Sequence, residues 1–166
     1  MSPRCSSKLY DMQRALDEYI EQENHVANEN LLSHKLLALL VELGELANET
    51  RCFKFWSKKG PSEKEIILEE YVDGIHFLLS IGLELKFDSF TQIKDPTSTS
   101  NDLTDQFLAV YEAFHHLKKE KTLSSYEKAW EEYVLLANML GFSTEDIERA
   151  YIEKNEVNYK RQREGY

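Results

Sequence analysis

Glycine and proline are scarce in this chain, at six and three in 166 residues. A turn-rich β architecture needs more of both, so the shortage favours long helices joined by few turns. Cysteine is scarcer still. Cys5 and Cys52 form no C-x-x-C pair and are too few for a disulfide framework or a zinc site of their own. The expected setting is a reducing cytoplasm. Long apolar runs are missing: the longest, Leu36 to Val41, is far too short to span a bilayer. Met1 to Lys8 lacks the apolar core of a signal peptide. Positive charge is also short, with 20 Lys and Arg against 30 Asp and Glu and a formal net charge of −10. That balance argues against general binding to nucleic acid or to anionic membranes. It leaves room for a small anionic ligand whose charge is met by bound metal.

What the chain does have is apolar periodicity. Hydrophobic residues make up 42% of it, enough to build the core of one domain over residues 1–166. Six helical segments are readable. The first covers Leu9 to Asn24, with Leu9, Met12, Leu16 and Ile20 in one stripe. The second runs from Leu31 to Trp56 and the third from Ser62 to Leu85, with Gly60 and Pro61 between them. Thr91 to Asp102 is polar, contains Pro96 and reads as the longest loop. The fourth and fifth helices cover Asp102 to Glu120 and Leu123 to Leu140, and Gly141 stops the fifth. Ser143, followed by Asp146, is an N-cap for a sixth helix that continues towards Arg163. No strand pattern competes, so the expected fold is an all-α helical bundle.

Against this apolar background, two acidic pairs stand out: Glu42-x-x-Glu45 and Glu70-x-x-Asp73. At about 100° per residue, Glu42 and Glu45 fall along the stripe of Ala38, Leu39 and Leu46 or at its margin. Glu70 and Asp73 share a face with Ile66, Phe77 and Ile81. The third helix is apolar nearly all round and should be central. A short linker sets it beside the second helix, so four carboxylates can converge. Carboxylates taken from water without partners repel and raise one another's pKa. One or two Mg²⁺ ions would relieve this and would also bind phosphate oxygens. Taken singly, an E-x-x-E pair is usually a solvated face or part of an ion-pair ladder. The second pair and the apolar flanks favour metal.

Lys154, Asn158 and Arg161 recur at i, i+4 and i+7 on the sixth helix and share one face. Alone they describe an exposed charged helix. Beside a metal–carboxylate site they form a phosphate clamp, with Arg as a fork and Lys as a point charge.

The two pairs, separated by 24 residues (46 to 69), resemble the signature of the all-α nucleoside triphosphate pyrophosphohydrolases, the MazG-like superfamily. Three longer segments narrow the resemblance. They are Glu42-Leu-Gly-Glu-Leu-Ala-Asn-Glu-Thr-Arg-Cys-Phe-Lys-Phe-Trp56, Glu69-Glu-Tyr-Val-Asp-Gly-Ile-His-Phe77, and Lys154-Asn155-x-x-Asn158-x-x-Arg161-Gln162-x-x-Gly165-Tyr166. Together they are similar to the dimeric dUTPase family over nearly the whole chain.

The resemblance implies a Mg²⁺-dependent, homodimeric hydrolase that converts dUTP, and also dUDP, to dUMP, which limits uracil incorporation into DNA. It implies two or more Mg²⁺ ions per site, held by Glu42, Glu45, Glu70 and Asp73. Either glutamate of the first pair can orient the attacking water, and Glu45 is preferred. It assigns Lys154, Asn158, Arg161 and Tyr166 to the phosphates. It sets His76 and Phe77 near deoxyribose, and Trp56 beside the nucleotide. Gln13 takes a uracil-side position, and Asp17 stands where some relatives have Asn.

Read without the resemblance, His76 is a satisfied core histidine, Phe77 and Trp56 are core aromatics, and Gln13 is a surface residue. Two other functions share these features. One is a MazG-like pyrophosphohydrolase for another nucleoside triphosphate. The other is a helical dimer that mainly binds a regulatory protein partner.

Overall fold

The most apolar stretch of the chain organises the rest. The computed structural model describes residues 3–87 and 101–166, and among these it contains six α-helices and no strand. They are α1 (Pro3–Glu23), α2 (Leu32–Thr50), α3 (Lys64–Glu84), α4 (Leu103–Glu120), α5 (Leu123–Leu140) and α6 (Thr144–Arg163). The expected loop from Thr91 lies outside the described residues except for Asn101 and Asp102.

Ile67, Leu68, Val72, Ile75, Leu78, Leu79 and Ile81 are all buried on α3. A helix apolar on every side must be covered on every side. Accordingly α1, α2, α5 and α6 all touch α3, while α4 packs on α5 and α2.

Two glycines let the bundle close tightly on this central helix. A Cβ at Gly74 would lie 2.1 Å from the Tyr133 hydroxyl oxygen, and one at Gly82 would lie 2.1 Å from that of Tyr126. The Tyr133 hydroxyl donates to the Tyr71 carbonyl at 2.6 Å, and Tyr71 donates back to the Tyr133 carbonyl at 2.9 Å. Their rings stack with centroids 4.3 Å apart. Tyr126 donates to the Leu78 carbonyl at 2.8 Å. Each buried hydroxyl thus has an acceptor, and such bonds are costly to leave unmade. They hold in place the turns of α3 that carry Glu70, Asp73 and His76.

Local signals set several boundaries. Ser143 and Asp146 form a reciprocal capping box at the start of α6, as do Thr122 and Ser125 at the start of α5. Gly141 ends α5 with φ of 80°.

The main difference from expectation is the end of α2. It stops at Thr50, six residues before Trp56, because Arg51 turns left-handed with φ of 57°. The Arg51 side chain then ties the following loop, donating to Ser57 Oγ at 2.7 Å and to the Lys59 carbonyl at 3.2 Å. No glycine or proline marks this stop, so the periodic pattern runs past it. Trp56 is consequently 64% exposed on a turn with Phe53 and Phe55, and is not a core aromatic. Smaller shifts occur elsewhere: α1 begins at Pro3 rather than Leu9, and α3 at Lys64 rather than Ser62.

Candidate active site

α2 and α3 lie side by side and bring acidic residues together across their interface. One carboxylate oxygen from each of Glu42, Glu45 and Glu70 falls within 4.8 Å of the others. Asp73, expected as a fourth member, sits beside this trio and takes the Lys154 ammonium at 3.2 Å. Burial is graded. Glu42, Glu70 and Asp73 are partly buried, whereas Glu45 is exposed. The expectation of an inward Glu45 is corrected here: it lies on the open side of α2, where Val41 is exposed too.

Glu42 and Glu70 hold their protons far above the ordinary carboxylate range. Glu42 is pushed up to about 8, chiefly by burial, then by the charge of Asp73 and by Glu45 and Glu70. Glu70 is pushed to about 7 by burial, with Asp73 and Glu45 adding to it. Burial also raises Asp73, against the opposing pull of Lys154. One oxygen of Glu42 and one of Glu70 are buried with no hydrogen-bond partner among the described residues. Unpaired buried carboxylate oxygens are expensive. Hard oxygen donors gathered this closely are the set that Mg²⁺ takes. The residues therefore fit a divalent cation.

Beside the trio lies a cleft of about 300 Å³ between α1, α2, α3 and α6. Gln13, Asp17, Glu42, Asp73, His76, Phe77, Lys154, Asn158 and Arg161 all line it. Nine of the thirteen residues singled out from the sequence thus meet at one surface. Glu45 and Glu70 stand next to it in the acidic trio. Trp56 and Tyr166 do not line it. Tyr166 is 85% exposed and packs its ring against the Arg161 guanidinium at 4.9 Å, so it touches the cleft only through Arg161.

Gln13 is buried, not a surface residue. Its Oε1 accepts from the Tyr151 hydroxyl at 2.8 Å and lies 2.7 Å from His76 Nδ1. Its Nε2 donates to Asp17 Oδ1 at 2.8 Å. An amide oxygen can only accept, so His76 carries its proton on Nδ1 and leaves Nε2 as a bare acceptor. Burial, followed by the charge of Lys154, lowers His76 to about 3, so the ring is neutral. Its Nε2 is buried without a partner among the described residues.

Lys154 is buried, not a solvated lysine of an exposed helix. It spans Glu69 at 2.9 Å and Asp73 at 3.2 Å. Burial pushes its pKa down, but these two carboxylates outweigh it and leave it raised.

The sequence reading missed Lys35, Ser80, Tyr151 and the pairing role of Glu69. Ser80 continues the Asp73–Phe77 face of α3, and Glu69 lies one turn before Asp73. That periodicity was the available signal for both. Lys35 and Tyr151 had none, because each acts across helices.

A family model described as dUTPase matches residues 6–166. No curated protein matches the chain. The matched range takes in α2, α3 and α6, which carry the acids, Phe77 and Lys154, and the all-helical architecture agrees with the family. The chain belongs to the all-α dUTPase family, and its activity is that of a dUTP diphosphatase.

Proposed function

We propose that the cleft and the acidic trio form one active site, within a single domain over residues 1–166, that hydrolyses dUTP and also dUDP to dUMP. One observation carries this reading: Glu42 belongs to both the trio and the cleft wall. A phosphate chain lying between Lys154, Asn158 and Arg161 therefore reaches the carboxylates.

Glu42, Glu45 and Glu70, with Asp73 beside them, would hold two or more Mg²⁺ ions, which when bound draw charge from the phosphate oxygens and fix their geometry. Glu45, the acid most open to water, accepts a hydrogen bond from the water that attacks the α-phosphorus in line. Lys154 and Arg161 neutralise charge on the departing pyrophosphate or phosphate, and Asn158 adds a neutral donor. Tyr166 steadies the Arg161 guanidinium with its ring. His76 Nε2 offers an acceptor to a sugar hydroxyl. The flat ring of Phe77 gives a ribose 2′-hydroxyl neither room nor partner.

The working unit is a homodimer. Leu37 and Val41, one turn apart on α2, and Phe55 and Trp56 just beyond it are all exposed. A second copy would cover them. Trp56 belongs to this surface, outside the cleft of its own chain. No described helix is long and apolar enough to cross a membrane. The low cysteine content suits the cytoplasm.

A panel of deoxynucleoside triphosphates, scored for pyrophosphate release with Mg²⁺ and with chelator, tests the reading. Release from dUTP alone, lost with chelator, is expected. The Glu45→Gln variant should keep its helical circular dichroism and lose nearly all turnover. Near-normal hydrolysis by that variant removes Glu45 from the mechanism.

A further inference from the structure

A second hollow, of about 280 Å³, opens beside Lys154 between α3 and α6. Leu68, Glu69, Ala150 and Val157 line it together with Lys154. Lys154 also lines the cleft, so it is common to both spaces. Asp73 faces the cleft and Glu69 faces the hollow. The Lys154 ammonium sits on the divide, 3.2 Å from Asp73 Oδ1 and 2.9 Å from Glu69 Oε1.

The two acids stand one turn apart on α3, and their surroundings differ. The side chain of Asp73 is 18% exposed and that of Glu69 is 58% exposed. Lys154 itself is buried, and a buried ammonium needs an anion. Asp73 already meets that need, so burial of the lysine does not account for Glu69. Metal binding does. An ammonium against Asp73 is a cation already in place at a carboxylate that fits Mg²⁺. Two cations at one carboxylate repel strongly at such short range. With Asp73 as its only partner, Lys154 would hold that carboxylate against the metal. With Glu69 also in reach, the ammonium can withdraw from Asp73 and keep an anion. The N–H freed from Asp73 is then available to a phosphate oxygen.

We propose that Glu69 is a positioning residue: it holds the Lys154 ammonium on the side of the hollow, so that Asp73 can take Mg²⁺ before the nucleotide arrives. The inference rests on the reading that Asp73 helps to hold the metal. Glu69 touches neither metal nor nucleotide and acts through Lys154. A merely structural Glu69, neutralising a buried lysine, would support the fold and leave Mg²⁺ affinity unmoved.

The test is calorimetric titration with Mg²⁺ alone, without nucleotide, in a double-mutant cycle of Glu69 and Lys154. Glu69→Gln keeps the shape and loses the charge, and should weaken Mg²⁺ binding ~10-fold. In a Lys154→Met background the same change should alter it less than ~2-fold. Glu69→Asp should recover part of the loss. In turnover, Glu69→Gln should raise the Mg²⁺ needed for half-maximal dUTP hydrolysis ~10-fold, with kcat at saturating Mg²⁺ within ~3-fold of wild type. An equal loss of affinity in both backgrounds would make Glu69 a diffuse negative charge, and no loss in either would leave it structural; each overturns the proposal. Should Lys154→Met fail to fold, a crystal structure of the wild type with Mg²⁺ alone decides. Lys154 should keep Glu69 and leave hydrogen-bond reach of Asp73, and an unbroken Lys154–Asp73 contact beside a bound ion overturns the proposal. A wild-type protein that binds no Mg²⁺ would instead defeat the underlying reading of the acids as a metal site.

Discussion

Replacing Glu42 by Gln should stabilise the metal-free protein while destroying its response to Mg²⁺. Folded Glu42 titrates near 8 instead of 4.5 because burial and the neighbouring carboxylates oppose its charge. Each pKa unit corresponds to about 1.4 kcal/mol. The side chain is only partly buried, so solvent screening removes much of that conversion. About 1–2 kcal/mol of destabilisation should remain at pH 8. Gln keeps the shape and can donate to Glu45 and Glu70, so no new orphan is made. At roughly 2–4 °C per kcal/mol for a chain of this size, Glu42→Gln should melt about 2–8 °C above wild type in chelator. Saturating Mg²⁺ should raise the wild type and leave the variant almost unmoved, reversing their order. Differential scanning calorimetry in both buffers is the assay. If the variant melts at or below wild type in chelator, the carboxylates do not strain the fold and the argument for a cation loses its energetic basis.

The pH dependence in chelator should have a defined sign. Folded Glu42 and Glu70 titrate near 8 and 7, above 4.5, so they bind extra protons and their contribution is lost as pH rises. Folded His76 titrates near 3, below 6.5, and costs stability as pH falls through that window. Above pH 6.5 the carboxylates act alone, so the melting temperature should fall from pH 6.5 to 8 and Mg²⁺ should flatten that slope; a flat profile in chelator contradicts the assignment. Gly74→Ala drives a Cβ to 2.1 Å from the Tyr133 hydroxyl oxygen and should cost more than ~3 kcal/mol in urea unfolding, whereas an unchanged midpoint would mean that Tyr133 moves freely. Phe77→Ala should narrow the preference for dUTP over UTP by ~10-fold or more in kcat/KM, and an unaltered ratio would clear Phe77 of sugar selection.

Much of the architecture was legible because it depends on local chemistry. The apolar circumference of α3 requires a central position, which its contacts with α1, α2, α5 and α6 bear out. Ser143 and Asp146 cap α6 through groups three residues apart, and Gly141 ends α5 with a conformation glycine tolerates. Arg51 shows where such reasoning fails. Its left-handed turn is held by bonds to Ser57 and Lys59 in the following loop, and no residue type announces it. The turn moved Trp56 to the surface and out of the cleft.

By itself the chain's order of residues determined which faces are apolar, where most helices stop, and that acids stand on helices with little cationic company. Those properties follow from a fixed helical period and from interactions within a few residues. Only the tertiary structure decided that Glu45 is open to water, that Asp73 takes Lys154 from α6, and that Lys35 reaches Asp17, Glu21 and Glu84 together. These are distances between helices. They depend on how the helices pack, including the close approach of Tyr133 and Tyr126 that Gly74 and Gly82 permit by lacking a Cβ, and no periodicity along one helix contains them.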